Sequence, residues 1–272
     1  MRLLAAAAVL IALSASAFGQ AGQPAQAGAQ APAQRGGRGR GAAPPSQPTP
    51  RRADGKPILG SPPGVKGIWG SCCGTLSTAT TPFQPWAKAV FAYRQENQFE
   101  PHTRCKPSGG ARQFVTPYGT EIVEMPDLQR IFIMDLGGPH SYRIIYMDGR
   151  THPKDLALSY YGHSIGRWDG DTLVVDTVGF NEKFWMDRAG APHTSQLHFV
   201  ERFTRTDFNS LRYEVTVDDP GAYTATWTPP PFTLRWDAGQ ELFEYVCQDN
   251  NHAPELMIGA QESVDRTSRI AP

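Results

Sequence analysis

Long apolar runs, cysteine, net charge and nucleotide-binding glycine loops are scarce or missing, and each shortage excludes something. After the apolar stretch Leu3 to Leu13 no second hydrophobic span occurs, so the remainder lacks the roughly 20 apolar residues that cross a bilayer as a helix. Lysine and arginine total 26 against 26 acidic residues, which leaves no basic excess to draw the chain to nucleic acid. No phosphate-cradling glycine loop, dinucleotide fingerprint or Cys-x-x-Cys-His haem site is present, so no organic cofactor is expected. No serine is expected in a strand-to-helix turn, which argues against a serine hydrolase of the nucleophile-elbow type.

What is present begins with Arg2, the Leu3 to Leu13 run and the small residues Ala15-Ser16-Ala17. That order is a signal peptide over residues 1–19, and it predicts a secreted protein, periplasmic or extracellular. No cysteine follows the run directly, so a lipid-modified N-terminus is not expected. Residues 20–63 are dominated by Ala, Gln, Gly, Pro and Arg with almost no large apolar side chain. Such a composition cannot bury enough surface to offset ordering entropy, and it reads as a disordered linker. Its Arg35 to Gly41 core resembles RNA-binding Arg-Gly segments, but in an exported chain of zero net charge a solvated spacer is the simpler expectation. Residues 64–272 are enough for one domain with a substantial core.

The cysteines are Cys72, Cys73, Cys105 and Cys247, free to oxidise outside the cell. Four allow three connectivities. The preferred pairing is Cys105 with Cys247, which leaves Cys72 and Cys73 as a strained vicinal pair or as free thiols. Adjacent cysteines chelate one ion poorly, so a cysteine metal site is not expected.

Pro85 to Asn97 reads as a helix with proline at its first position and Trp86, Ala89, Val90 and Tyr93 on one face. After it come short runs rich in β-branched and aromatic residues. Strands are expected near 121–125, 129–135, 142–147, 158–168, 172–178, 197–204, 212–217, 223–236 and 241–247. Asp148-Gly149, Asp169-Gly170 and Asp207 to Ser210 are turn-sized links between antiparallel neighbours. Pro229-Pro230-Pro231 must break its run, because proline donates nothing to a ladder. The fold class is therefore mainly β: an antiparallel meander closing into a lipocalin-like barrel, with a β-sandwich as the alternative and one N-terminal helix packed on it.

The densest ionisable grouping is Asp187, His193, His198 and Glu201. Strand alternation puts His198 on the face of Val200 and Arg202, and Glu201 on the face of Leu197, Phe199 and Phe203. A carboxylate among aromatic neighbours is desolvated, its pKa rises, and it can act as general acid or base. With Asp187 and His193 or His198 it would make a hydrolase, lyase or isomerase. The structural alternative is an ion pair between Glu201 and Arg143 or Arg212. Two imidazoles and two carboxylates also suit a divalent metal, with His193 and His198 as candidate ligands, although the spacing is not diagnostic. His140 and His163 read more simply as surface or capped histidines.

Aromatic residues are the other resource. Most should be core, but in a closed barrel Tyr142, Tyr146, Trp168, Trp185, Tyr213 and Trp227 could line a pocket for a small apolar or aromatic molecule. A binding protein is thus the leading expectation, ahead of the enzyme and of a structural or interaction module.

The segments Arg104 to Pro107, Met147 to Arg150, Gly166 to Val175, Gly179 to Asn181, Glu201 to Phe203, Asp218 to Pro220 and Glu244 to Cys247 resemble an uncharacterised family of exported bacterial proteins. The resemblance covers roughly residues 81–257 and implies export, but brings no mechanism with it.

Overall fold

Alternation of buried and exposed side chains marks a strand with one face on a core, and it runs through Arg130–Asp135, His198–Asp207 and Ser210–Asp218 with hardly a break. The computed structural model describes residues 46–70, 75–98, 100–244 and 246–247; the expected signal peptide and the Cys72-Cys73 pair lie outside them. The strands are β1 (Gly67–Gly70), β2 (Thr120–Met125), β3 (Arg130–Asp135), β4 (Tyr142–Tyr146), β5 (His163–Asp169), β6 (Thr172–Val178), β7 (His198–Asp207), β8 (Ser210–Asp218) and β9 (Phe232–Ala238). Each pairs with the next and β1 pairs with β9, so the sheet closes into a barrel. The lipocalin-like reading holds and the sandwich alternative falls.

Three details differ from expectation. The 241–247 run forms no strand among the described residues. The barrel is closed instead by β1, a Gly-Ile-Trp-Gly segment too short and glycine-flanked to show alternation. The meander is also not wholly antiparallel, because β4 and β5 run parallel and meet in only two residue pairs, Ile145 with Ser164 and Tyr146 with Ile165. Asp148-Gly149 opens a crossover rather than a hairpin, since parallel strands need a long connection. The Asp169-Gly170 turn does join antiparallel neighbours, β5 and β6, and β9 begins only after Pro231.

Helix α1 (Pro85–Asn97) has the expected bounds, with proline in its first turn, but a different buried face. Ala87 is buried and Phe91 stacks on Phe83 at 4.9 Å, whereas Trp86 and Tyr93 are exposed. The small Ala87 lets the helix come close, and Trp86 stays at the rim with its indole N–H donated to the Gly221 carbonyl at 2.8 Å.

The lumen is filled. The six residues of a 3-10 turn, Gly110–Val115, are all buried, and Phe114 meets the inward rings of Phe203 on β7 and Tyr213 on β8 at 5.4 and 4.7 Å. Gly110 is required there: its φ is +40°, and a Cβ would fall 2.7 Å from the Phe199 ring. Burying aromatic side chains of this size contributes about 1.5–3 kcal/mol each.

Part of the expected linker is structured. Leu59 is wholly buried and its carbonyl accepts the Trp69 indole N–H at 2.7 Å. The strap from residue 46 to 66 is gripped from two non-adjacent strands. Glu124 of β2 accepts the Leu59 and Gly60 N–H groups at 2.7 and 3.1 Å, and Arg205 of β7 donates to the Ile58 and Gly60 carbonyls at 2.7 and 2.9 Å. Composition concealed this because so few apolar anchors are needed. Only glycine fits at position 60, where a Cβ would stand 2.0 Å from the Ile122 carbonyl oxygen. Cys105 and Cys247 come together as expected, their Cα atoms 5.5 Å apart in the geometry of a disulfide.

Candidate functional site

Period-two alternation sends Glu201 into the lumen, as its neighbours Phe199 and Phe203 require. There it meets Arg143 of β4, which donates through Nη1 to Oε1 at 2.9 Å and through Nη2 to Oε2. The Tyr213 hydroxyl donates to the same Oε1 at 2.8 Å. Arg143 also donates to Ser164 Oγ at 2.8 Å and Thr177 Oγ1 at 2.6 Å. Every member is buried. A buried guanidinium with a full set of acceptors is a specifying interior network, and the Glu201 carboxylate is occupied by it. The general acid or base expected at Glu201 gives way to the ion pair with Arg143.

Asp187 and His193 lie together in the loop before β7 but do different work. Asp187 accepts the Ser77 N–H at 2.6 Å and its hydroxyl at 2.5 Å through Oδ2, and the Gly190 and Ala191 N–H groups at 3.2 and 3.4 Å through Oδ1. It is a loop clamp. The His193 ring packs on Phe184 at 4.2 Å, with Nε2 3.1 Å from the Phe184 carbonyl oxygen, and burial pushes its pKa below the usual imidazole value. No hydrogen bond or ion pair joins any two of Asp187, His193, His198 and Glu201 among the described residues. The four were expected to share one site; strand alternation and the loop's own backbone bonds separate them. Among the described residues no group of three or more His, Cys, Asp or Glu is arranged to hold a metal ion.

His198 belongs to a different cluster, on the outer face. Outward positions in register form rows: Arg167 of β5, Val174 of β6 and Arg202 of β7; next to them Ile165, Asp176 and Val200. One row further lie His163 and His198 at the strand starts. His198 Nε2–H donates to Asp176 Oδ1 at 3.0 Å, and His152, carried by the β4–β5 crossover, donates to the same oxygen at 3.0 Å. Nδ1 of His152 then accepts from Nδ1–H of His163 at 2.8 Å. Burial, and then the neighbouring His152 and Arg150, depress the His163 pKa. With Nε2 of His198 held by Asp176, Nδ1 is the ring nitrogen not engaged by that carboxylate.

This cluster escaped the sequence reading. Its signal was faint: His163, Asp176 and His198 each sit at an outward strand position, but only the inter-strand register shows that they adjoin. Gly162-His163-Ser164-Ile165-Gly166 also has the Gly-x-Ser-x-Gly spacing. Ser164 is nevertheless no nucleophile elbow, being a buried β5 residue bonded to Arg143 and Thr177.

The candidate ligand residues divide similarly. Tyr142 and Tyr146 line a cleft of about 350 Å³ with Tyr160, Tyr161 and His163, at the parallel seam of β4 and β5. Arg143 lies at the inner wall of that cleft. Trp168 lies under Arg52 and Lys56 at 5.7 and 5.9 Å, and Trp185 under Arg94 at 4.9 Å. Tyr213 is bound to Glu201, and Trp227 packs on Tyr223 at 5.3 Å. Cation-π partners, the interior network or a neighbouring ring already engage these four. No helix among the described residues is long and apolar enough to cross a membrane. Comparison with protein-family models, with curated proteins and with solved structures returned no match.

Proposed function

We propose that this is an exported small-molecule-binding barrel whose small aromatic or apolar ligand sits in the tyrosine-lined cleft on the β4–β5 seam rather than in the lumen. The carrying observation is the seam itself. With only two residue pairs holding β4 to β5, the outer wall parts beside Tyr142, Tyr146, Tyr160 and Tyr161, and tyrosines combine large apolar area with a polar tip. The lumen, packed with the Gly110–Val115 turn, has no comparable role. Nucleic acid is not a partner in this reading.

The test is a titration of the mature protein with neutral aromatic probes such as indole and naphthol, followed by tyrosine and tryptophan fluorescence. Tyr142→Ala and Tyr146→Ala should each weaken binding about tenfold, the scale of a lost aromatic anchor. Unchanged affinity in both would remove the proposal.

A second reading, acid–base catalysis by a hydrolase, lyase or isomerase, is favoured by the Asp176–His198 pair, in which a carboxylate orients an imidazole and leaves its other nitrogen as base. Turnover of any substrate that survives His198→Gln unchanged would rule this pair out.

A further inference from the structure

The outer face of β5 to β7 carries a second cleft, of about 370 Å³, lined by Gly149 and Arg150 of the crossover and by Ile165, Arg167, Val174, Asp176 and Val200. That volume lies within the roughly 300–1,000 Å³ range of small-molecule sites. Its floor is aliphatic: Ile165, Val174 and Val200 are outward neighbours in two adjacent rows. The charges around it are unevenly satisfied. Arg150 grips the Asp148 carboxylate through Nε at 2.8 and 3.0 Å and stacks on Tyr146 at 3.9 Å. Arg202 donates to Asp169 at 2.9 Å. Asp176 Oδ1 receives His152 and His198. Arg167 alone among these cations has no hydrogen bond, ion pair or ring partner among the described residues, and it is exposed at the cleft.

We propose that this cleft binds an organic monoanion, a carboxylate with a short apolar body. The carboxylate pairs with the Arg167 guanidinium, whose planar fork matches it, and the body lies on Ile165, Val174 and Val200 beneath Gly149. Asp176 is one row away, about 6.6–6.8 Å along the strand, and its negative charge at the far end selects against a second carboxylate on the ligand. This site stands independently of the tyrosine cleft, which shares none of its lining residues.

The experiment is methyl NMR of the full mature chain titrated with hexanoate, hexanamide and adipate, three molecules of equal carbon number and different charge. Hexanoate should saturate with shifts at the Ile165, Val174 and Val200 methyls, and hexanamide and adipate should bind at least tenfold more weakly. Arg167→Ala should reduce hexanoate affinity about tenfold, the scale of one charge-assisted bond. Arg167→Lys should retain part of it, and Tyr142→Ala all of it. Binding of hexanamide as tight as hexanoate, no saturable shift, or indifference to Arg167→Ala would each overturn the proposal. Neutral aromatic probes and the Tyr142 variant test the tyrosine cleft separately, so either site can fail alone.

Discussion

Arg143 and Glu201, 58 residues apart in sequence, form a two-bond pair inside the barrel although their strands, β4 and β7, are not neighbours. The pair spans the lumen, so it ties the two sides of the wall together. Removing one partner leaves an uncompensated buried charge. Glu201→Gln and Arg143→Met should each destabilise by about 3–5 kcal/mol, and the double variant by less than the sum of the two. Urea unfolding of the three variants checks this. Additive losses would mean that the two side chains do not interact. Loss of function in a Glu201 variant should accordingly track the fraction unfolded.

His193 sets an acid limit. Its folded pKa lies below the unfolded value because burial disfavours the charged ring, so the unfolded state binds more protons. Stability is therefore full above the unfolded value of about 6.5 and falls as pH drops below it, by up to about 1.4 kcal/mol per pH unit. His193→Gln should flatten that slope between pH 6.5 and 5 in chemical denaturation series. A slope identical to the parent's would show that His193 is already charged in the fold.

Asp135 works in the opposite direction. Burial raises its carboxyl pKa despite bonds from the Gly137 N–H and the Tyr161 hydroxyl. The native state then holds the proton more tightly than the unfolded one, and stability is lost as pH rises from the ordinary carboxylate range through the raised value. Asp135→Asn should gain relative to the parent as pH goes from 4 to 7. A constant difference across that interval would contradict the assignment.

Arg205 should hold the strap. Its guanidinium donates to the Ile58, Gly60 and Phe208 carbonyls and lies 4.9 Å over the Trp69 ring, while burial lowers its pKa to about 10. Arg205→Met, which keeps the apolar stem, should cost about 3 kcal/mol. It should also make residues 46–66 the first site of limited proteolysis. Protection equal to the parent's would place the grip in Glu124 alone.

The Cys105–Cys247 bridge closes a loop with a sequence separation of 142. By chain entropy such a loop is worth about 5 kcal/mol. Reduction, or Cys105→Ser, should lower the denaturation midpoint by that scale. A negligible shift would show that the thiols do not bond in solution.

Much of the architecture was written in single segments, and little of the site was. Thr172–Val178 and Pro85–Asn97 carry their own limits, in a run rich in β-branched residues and in an N-terminal proline. The inward side of Glu201 follows from Phe199 and Phe203, which is why an interior arginine, Arg143 or Arg212, could be named as its partner; only packing chose Arg143, Arg212 pairing with Glu214 instead. Gly67–Gly70 could not be read, because a four-residue strand shows no period. The parallel β4–β5 seam and the Gly110–Val115 filling of the lumen depend on packing between distant segments. The His152–Asp176–His198 cluster depends on the register of β6 against β7 and on where the crossover lands, neither of which any one strand encodes.

Gly67 pairs with Ala238, so the ladder that closes the barrel joins residues 171 positions apart (238 − 67). The hairpins from β5 to β8 need only neighbouring chain. A chain emerging N-terminus first carries β1 with an open edge until the final strand arrives, and long-range pairings of this kind are slow to form. For that interval the growing sheet has two unpaired margins, each able to accept a strand from another molecule. Folding yield should thus depend on how fast Phe232–Ala238 is delivered, which makes β9 the strand that decides between a closed wall and an aggregate.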